Sequence, residues 1–251
     1  MATNKHFVIE VKPTITASKQ ASMADGDVLF DWTALTIPRG SAKLTNLTVM
    51  LRGNDGSPQT ARDINFYFAK SIDGVAPGSL GTLSATADGI GYYNHLIAKV
   101  HLEASGDYAA GLDYMSVAST GHGAANNQGN LEIVLEGEQS PITPAATGFD
   151  KIFIAAVAGG ALDFSTGSLI NMGSGQAAVA AETILTTDGT HATKVFAVGD
   201  VLHAQDDAVA GTVVRIPGTT SVTVDAVAGA LADDDELFVL SPITIRLSFE
   251  R

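Results

Sequence analysis

Residues 242–251 read PITIRLSFER. Ile243, Ile245, Leu247 and Phe249 alternate with Thr244, Arg246, Ser248 and Glu250, the period-two pattern of a half-buried β-strand. Near the other end, Phe7, Val8, Ile9, Glu10, Val11 and Ile15 carry the same alternation. The spacing predicts one large sandwich that holds both chain ends. Directly ahead of the last strand, residues 182–240 read as a compact unit of their own.

Between the ends the strand pattern recurs. Val28–Ile37 (VLFDWTALTI) is apolar enough for a buried strand, and Pro38-Arg39-Gly40 turns it. Leu44–Leu51 puts Leu47, Val49 and Leu51 on one face, and Asn54-Asp55-Gly56 tolerates the positive φ of a tight turn. Ile64, Phe66 and Phe68 form the next inward face, and Asp73-Gly74 opens a Gly/Pro-rich loop to Gly81. Tyr92–Glu103 predicts a strand with Tyr92, Leu96, Ala98, Val100 and Leu102 on one face. Gly121–Gly129 reads as a loop, Leu131, Ile133 and Leu135 as an alternating strand, and Phe149–Val157 as a central strand. No window shows extended helical periodicity, so the class is all-β.

Within 182–240, short strands are predicted at Glu182–Thr187, Lys194–Val198, Val201–Ala204, Gly211–Ile216, Ser221–Ala226 and Glu236–Leu240. Asp188-Gly189, Gly199-Asp200, Asp206-Asp207 and Pro217-Gly218 punctuate them. That density suggests a small barrel, which removes exposed edges. The expected architecture is an antiparallel β-sandwich (1–181 plus 241–251) with a small β-barrel (182–240) inserted before the last strand. Pro242 cannot donate a ladder hydrogen bond and suits the first position of the returning strand.

Composition narrows the chemistry. The chain has no cysteine, which excludes disulfides, thiolate metal sites and cysteine nucleophiles. Its formal net charge is −13, a poor match to nucleic acid, whose phosphates need a basic face. No run reaches the ~18 apolar residues of a membrane span. The charge is uneven: residues 1–101 hold nine basic and eight acidic side chains, whereas 102–245 hold Lys151, Lys194 and Arg215 against eighteen acidic ones. The unevenness reads either as a solvated acidic surface that favours solubility or as an orientation, in which a near-neutral part docks and an acidic part faces solvent.

No motif declares a catalytic, cofactor or metal site. His95 and His101, six residues apart in a predicted strand, would lie roughly 20 Å apart and cannot share a metal. Asp233-Asp234-Asp235-Glu236 lacks the spacing of a calcium loop and reads as a solvated turn. Gly173-Ser174-Gly175 and Gly121-His122-Gly123 lack the context of a phosphate loop. His191 and His203 read as surface or packing residues. Trp32 and Phe66-Tyr67-Phe68 have the composition of a sugar-binding floor, but strand spacing favours core packing.

Three long runs carry a resemblance: DVLFDWTALTIPRGSAKLTNLTVMLRGNDG, AKSIDGVAPGSLGT, and FAVGDVLHAQDDAVAGTVVRIPGTTSVTVDAVAGALADDDELFVLSPITIRL. Together they resemble virion structural proteins of tailed bacteriophages, of the capsid decoration or cement type. The resemblance implies a non-enzymatic protein on the capsid surface, bound to the major capsid protein as a homo-oligomer (trimer or dimer), with no catalytic, cofactor or metal residues to carry over. Two other readings stand beside it. One is a head fibre, knob or tail-associated module that binds host-surface glycans. The other is a glycoside hydrolase, which would need two carboxyl groups converging about 5–10 Å apart.

Overall fold

The computed structural model describes residues 6–20, 23–37, 41–53, 57–88, 90–109, 112, 114–120, 132–138, 151–165 and 170–251. The turns expected at Pro38–Gly40 and Asn54–Gly56, the loop at Gly121–Gly129, and the starts of two strands at Leu131 and Phe149 lie outside these residues.

The fold is all-β, with three antiparallel sheets among the described residues. The first sheet is built on β15 (Ile243–Glu250). On one side β15 pairs with β1 (His6–Val11), on the other with β3 (Ser41–Arg52). β3 then pairs with β7 (Met115–Ser119) near its end and with β8 (Ile133–Glu136) near its start, and β6 (Tyr108–Ala109) adds to β7. Alternation puts Ile243, Ile245, Leu247 and Phe249 on the inner face, all buried.

β3 shows how a bulge corrects a pattern. Leu44 and Leu47 both face inward although they differ in parity. The register with β15 slips between Ser248 and Phe249, so Asn46 faces Ser248 but Leu44 faces Phe249. The extra residue, Thr45, donates its hydroxyl to the Ser248 carbonyl (3.0 Å).

The second sheet runs β2 (Val28–Thr36), β9 (Lys151–Gly159), β4 (Asp63–Lys70), β5 (Leu96–Leu102). β9 is central and covered on both faces. Ile152, Ile154, Ala156 and Ala158 enter the core between the two sheets, with Phe30, Ile64, Phe66 and Phe68. Ala155 and Val157 enter a smaller outer cluster with Val28 and Leu80. The predicted strand Tyr92–Glu103 begins later than expected. Residues Ile90–His95 form a 3-10 helix, and only Leu96–Leu102 is strand. The helix carries Tyr92 to the outer cluster, beside Trp32 and Tyr67, and not to the face of Val100 and Leu102.

The third sheet has the order β10 (Thr183–Thr186), β13 (Ser221–Val224), β12 (Val209–Gly218), β11 (Val201–Ala204), β14 (Leu237–Val239). It surrounds a second hydrophobic core that includes Leu185, Leu202, Val213, Val222 and Leu237. The expected closed barrel is not formed by these strands, because β10 and β14 do not pair. A neighbouring segment lies between them. The Met172 amide donates to the Asp235 carbonyl (2.8 Å) and the Gly173 amide to the Thr186 carbonyl (2.9 Å), and Ile170 and Met172 add their side chains to the second core. The predicted strand Lys194–Val198 is also corrected. Ala192–Val195 is a single helical turn, α1, which brings Ala192 and Phe196 into the second core at helical spacing.

β12 bends at Gly211, whose φ is +101°; a Cβ there would lie 2.0 Å from the Ala226 carbonyl oxygen. Gly211→Ala is therefore expected to cost more than about 1 kcal/mol, read from the urea midpoint. Leu247→Ala, at a fully buried position of β15, is expected to cost about 2–5 kcal/mol in the same assay.

Candidate interaction surfaces

The two cores meet along a polar junction. Arg52, at the end of β3, projects from the sandwich and grips the loop after α1. Its Nη2 donates to both carboxylate oxygens of Asp200 (2.7 and 2.8 Å), and its Nη1 donates to the Val195 carbonyl. Both side chains are largely buried, the geometry in which a planar guanidinium fork outperforms a point charge. Asp200 also accepts from the Ala197 amide (2.7 Å), so one carboxylate ties the loop to itself and to the sandwich.

A second set of contacts runs from the segment after β1. Ile15 donates its amide to the Leu240 carbonyl (2.8 Å). Gln20, with no exposed surface, donates from Nε2 to the carbonyls of Ile15 (2.7 Å) and Val239 (2.8 Å). Ser18 donates its amide (3.0 Å) and hydroxyl (2.7 Å) to Asp207. Burial, the largest single influence, works against charge on Asp207, but the two Ser18 bonds together with His203 and the Ala17 backbone outweigh it and hold the carboxyl below its ordinary value. On a third side the Tyr114 hydroxyl meets His191 Nδ1 (2.7 Å), and the Lys194 ammonium lies 5.4 Å from the Tyr114 ring centre.

The residues weighed in the sequence are dispersed. His95 ends the 3-10 helix and bonds the Lys70 carbonyl through Nδ1 (2.9 Å). His101 bonds Asn65 Oδ1 (2.9 Å) on the neighbouring strand. His203 Nδ1 meets the Asp207 carbonyl (3.1 Å). His191 is a junction residue. Asp233–Glu236 form the turn into β14, where Asp235 accepts the Ala232 amide (2.6 Å) and Asp234 adopts a φ of +66°. Gly173-Ser174-Gly175 belongs to the segment between β10 and β14. Among the described residues no three His, Asp or Glu side chains cluster as a metal site would require.

The aromatic residues divide by face. Phe66 and Phe68 are core, whereas Trp32 and Tyr67 lie on the outer face of the second sheet with Tyr92. The Trp32 ring meets Tyr92 edge-on at 5.4 Å, and its indole N–H donates to the Gly78 carbonyl (2.9 Å). Trp32 thus anchors the loop that crosses this face, and its donor is already used. Tyr93, 77% exposed, stands clear of the cluster.

Among the described residues, clefts reach the surface at two places of note. One, of about 590 Å³, is lined by Met23, Gln59, Arg62 and Asp163 among others. The other, of about 300 Å³, sits at the junction and includes Lys12, Arg52 and Asp200. Each brings a single carboxylate to its described lining, and in the second that carboxylate is held by Arg52. No helix among the described residues is long and apolar enough to cross a membrane.

No protein-family model matches the chain, and no curated protein matches it. Among solved structures it is similar to the VP2 subviral particle of infectious bursal disease virus, at 9% identity over 99% of this chain and 42% of that one, with a TM-score of 0.25. It is similar also to the T13 particle of the same virus, at 9% identity over 99% of this chain and 40% of that one (TM-score 0.22). A further likeness is to the STIV MCP, at 10% identity over 98% of this chain and 96% of that one (TM-score 0.16). The chain spans about two fifths of the length of the first two. TM-scores this low fall short of a shared fold.

Arg52→Ala is expected to lower stability by about 1.5–3 kcal/mol, as for hydrogen bonds to charged groups. Arg52→Lys should recover only part, because an ammonium cannot reproduce the fork. Both are read by thermal melting. Asp207 carries a lowered folded-state pKa, so its contribution is complete above the unfolded value of about 3.9 and is lost as pH falls through the folded one. Asp207→Asn should therefore lower stability at neutral pH and flatten this part of the acid limb, measured as melting temperature against pH.

Proposed function

We propose that this protein is a non-enzymatic structural component of a phage virion, a decoration or cement protein bound to the major capsid protein on the capsid surface. The observation that carries the reading is the physical separation of its charge. The acidic excess of residues 182–240, ten acidic side chains against Lys194 and Arg215, sits on a unit with its own hydrophobic core. The near-neutral first hundred residues supply most of the sandwich. A junction of fixed polar contacts sets one against the other. A strongly negative body resists close approach to an acidic shell and adds colloidal repulsion on the solvent side. The first hundred residues, near neutral within a sandwich that as a whole holds twelve basic and seventeen acidic side chains, carry less of that penalty and suit docking. The resemblance of the three long runs to tailed-phage virion proteins points the same way.

On this reading residues 182–240 form an inserted module that faces outward, and the sandwich docks. Closing a loop in place of the insert costs entropy that grows only slowly with loop length. The test is a shortened chain in which a Gly/Ser linker replaces 182–240, mixed with capsids stripped of the native protein. It is expected to fold and to bind in co-sedimentation. A shortened chain that folds without binding would reverse the orientation, and a full-length chain that leaves stripped capsids bare would overturn the reading.

A further inference from the structure

β1 is the outermost strand of its sheet, and among the described residues nothing pairs with its outer edge. The phase of the ladder fixes which backbone groups that edge presents. Arg52 donates its amide to the Pro242 carbonyl (2.9 Å), which makes this a hydrogen-bonded pair. In the β3–β15 register the even-numbered residues of β15 therefore turn their N–H and C=O groups toward β3, and the odd-numbered ones toward β1. Opposite those odd residues stand Phe7, Ile9 and Val11. The N–H and C=O groups of His6, Val8 and Glu10 consequently point outward. The side chains of these three residues are also exposed, Val8 at 61%.

An open edge of this length is a template for another strand. We propose that a second copy of this chain occupies it, with β1 pairing antiparallel to its own copy about a two-fold axis at Val8. The outward backbone phase allows only registers in which even-numbered residues meet even-numbered ones. The axis at Val8 sets Val8 against Val8 and His6 opposite the partner's Glu10, a base against an acid at both ends. Moving the axis to Ile9 sets His6 opposite Lys12, two basic groups, and leaves Val8 opposite Glu10. Moving it to Phe7 sets His6 against Val8.

The inner face agrees. Phe7 and Ile9 are only half-buried at the sheet margin, where Phe7 stacks on Phe249 with ring centres 5.1 Å apart. In the Val8 register each Phe7 meets the partner's Ile9, so the two margins cover one another. Glu10, which already meets Lys12 (3.0 Å) and Arg246 (3.2 Å), draws the partner's His6 into an existing ion cluster. A self-complementary contact of this kind closes at two copies and joins the two first sheets into one. The inference rests on the sheet edge and is independent of the capsid reading.

The absence of cysteine makes the test direct. Hydrogen-bonded antiparallel pairs hold their Cα atoms about 5.5 Å apart, within the disulfide range of about 4.4–6.8 Å. Val8→Cys should give a disulfide-linked dimer on mild oxidation, whereas Ile184→Cys, exposed on the edge strand β10, should stay uncrosslinked. Val8→Pro removes an outward N–H that β15 does not use, so it should keep the melting temperature and lose the dimer seen by light scattering. The proposal is overturned by a wild-type monomer at the highest soluble concentration, by a dimer that survives Val8→Pro, or by equal crosslinking of the two cysteine variants. If Val8→Pro does not fold, the cysteine pair decides.

Discussion

The structure depends on the placement of β15 between β1 and β3. This strand is last in the chain but central in its sheet, with a partner on each side and four apolar side chains in the core. Without it β1 has no neighbour, β3 loses one side, and the unit that precedes β15 has no fixed exit. The constraint is topological as well as energetic. A strand that pairs with residues 6–11 and 43–51 forms its contacts only after the chain before it has been made and the ends brought together.

From that strand the rest follows by contact. Three residues separate β14 from β15, so the unit with the second core is held close to the sandwich by the backbone. Short tethers alone leave orientation free. The bidentate Arg52–Asp200 pair, the Ser18–Asp207 bonds and the buried Gln20 amide remove that freedom. Desolvated polar contacts favour one geometry over others because a shifted interface would leave donors and acceptors unmet. That fixed relation sets the most acidic unit, ten acidic side chains against two basic, apart from the near-neutral first hundred residues, which is the basis of the docking proposal.

Much of the fold was legible in the sequence. The terminal strands, β4 and β9 follow from period-two alternation or continuous apolar runs, because burial of one or both faces writes itself into composition. Three features were not legible. The 3-10 helix at Ile90–His95 shares its apolar residues with a strand pattern, and six residues are too few to separate the periods. The turn at Ala192–Val195 is shorter still. The failure of the third sheet to close depends on residues 170–173 lying between β10 and β14, a long-range event with no local signature. The candidate surfaces were less legible again. Arg52, Asp200, Ser18, Asp207 and Gln20 are ordinary polar residues in sequence, brought together across separations of more than a hundred residues. The uneven distribution of charge was the one functional signal that composition carried.

Hydrogen–deuterium exchange resolved to single amides tests the central role of β15 most directly. Amides in a strand on which the whole sheet depends can exchange only when the protein unfolds globally. The account predicts that the amides of Ile245 and Leu247 exchange with an opening free energy equal to the unfolding free energy from denaturant titration, and that those of β3 opposite them do the same. Exchange of the β15 amides at markedly lower free energy, while β4 and β9 stay protected, would show that the strand opens on its own and would contradict the account.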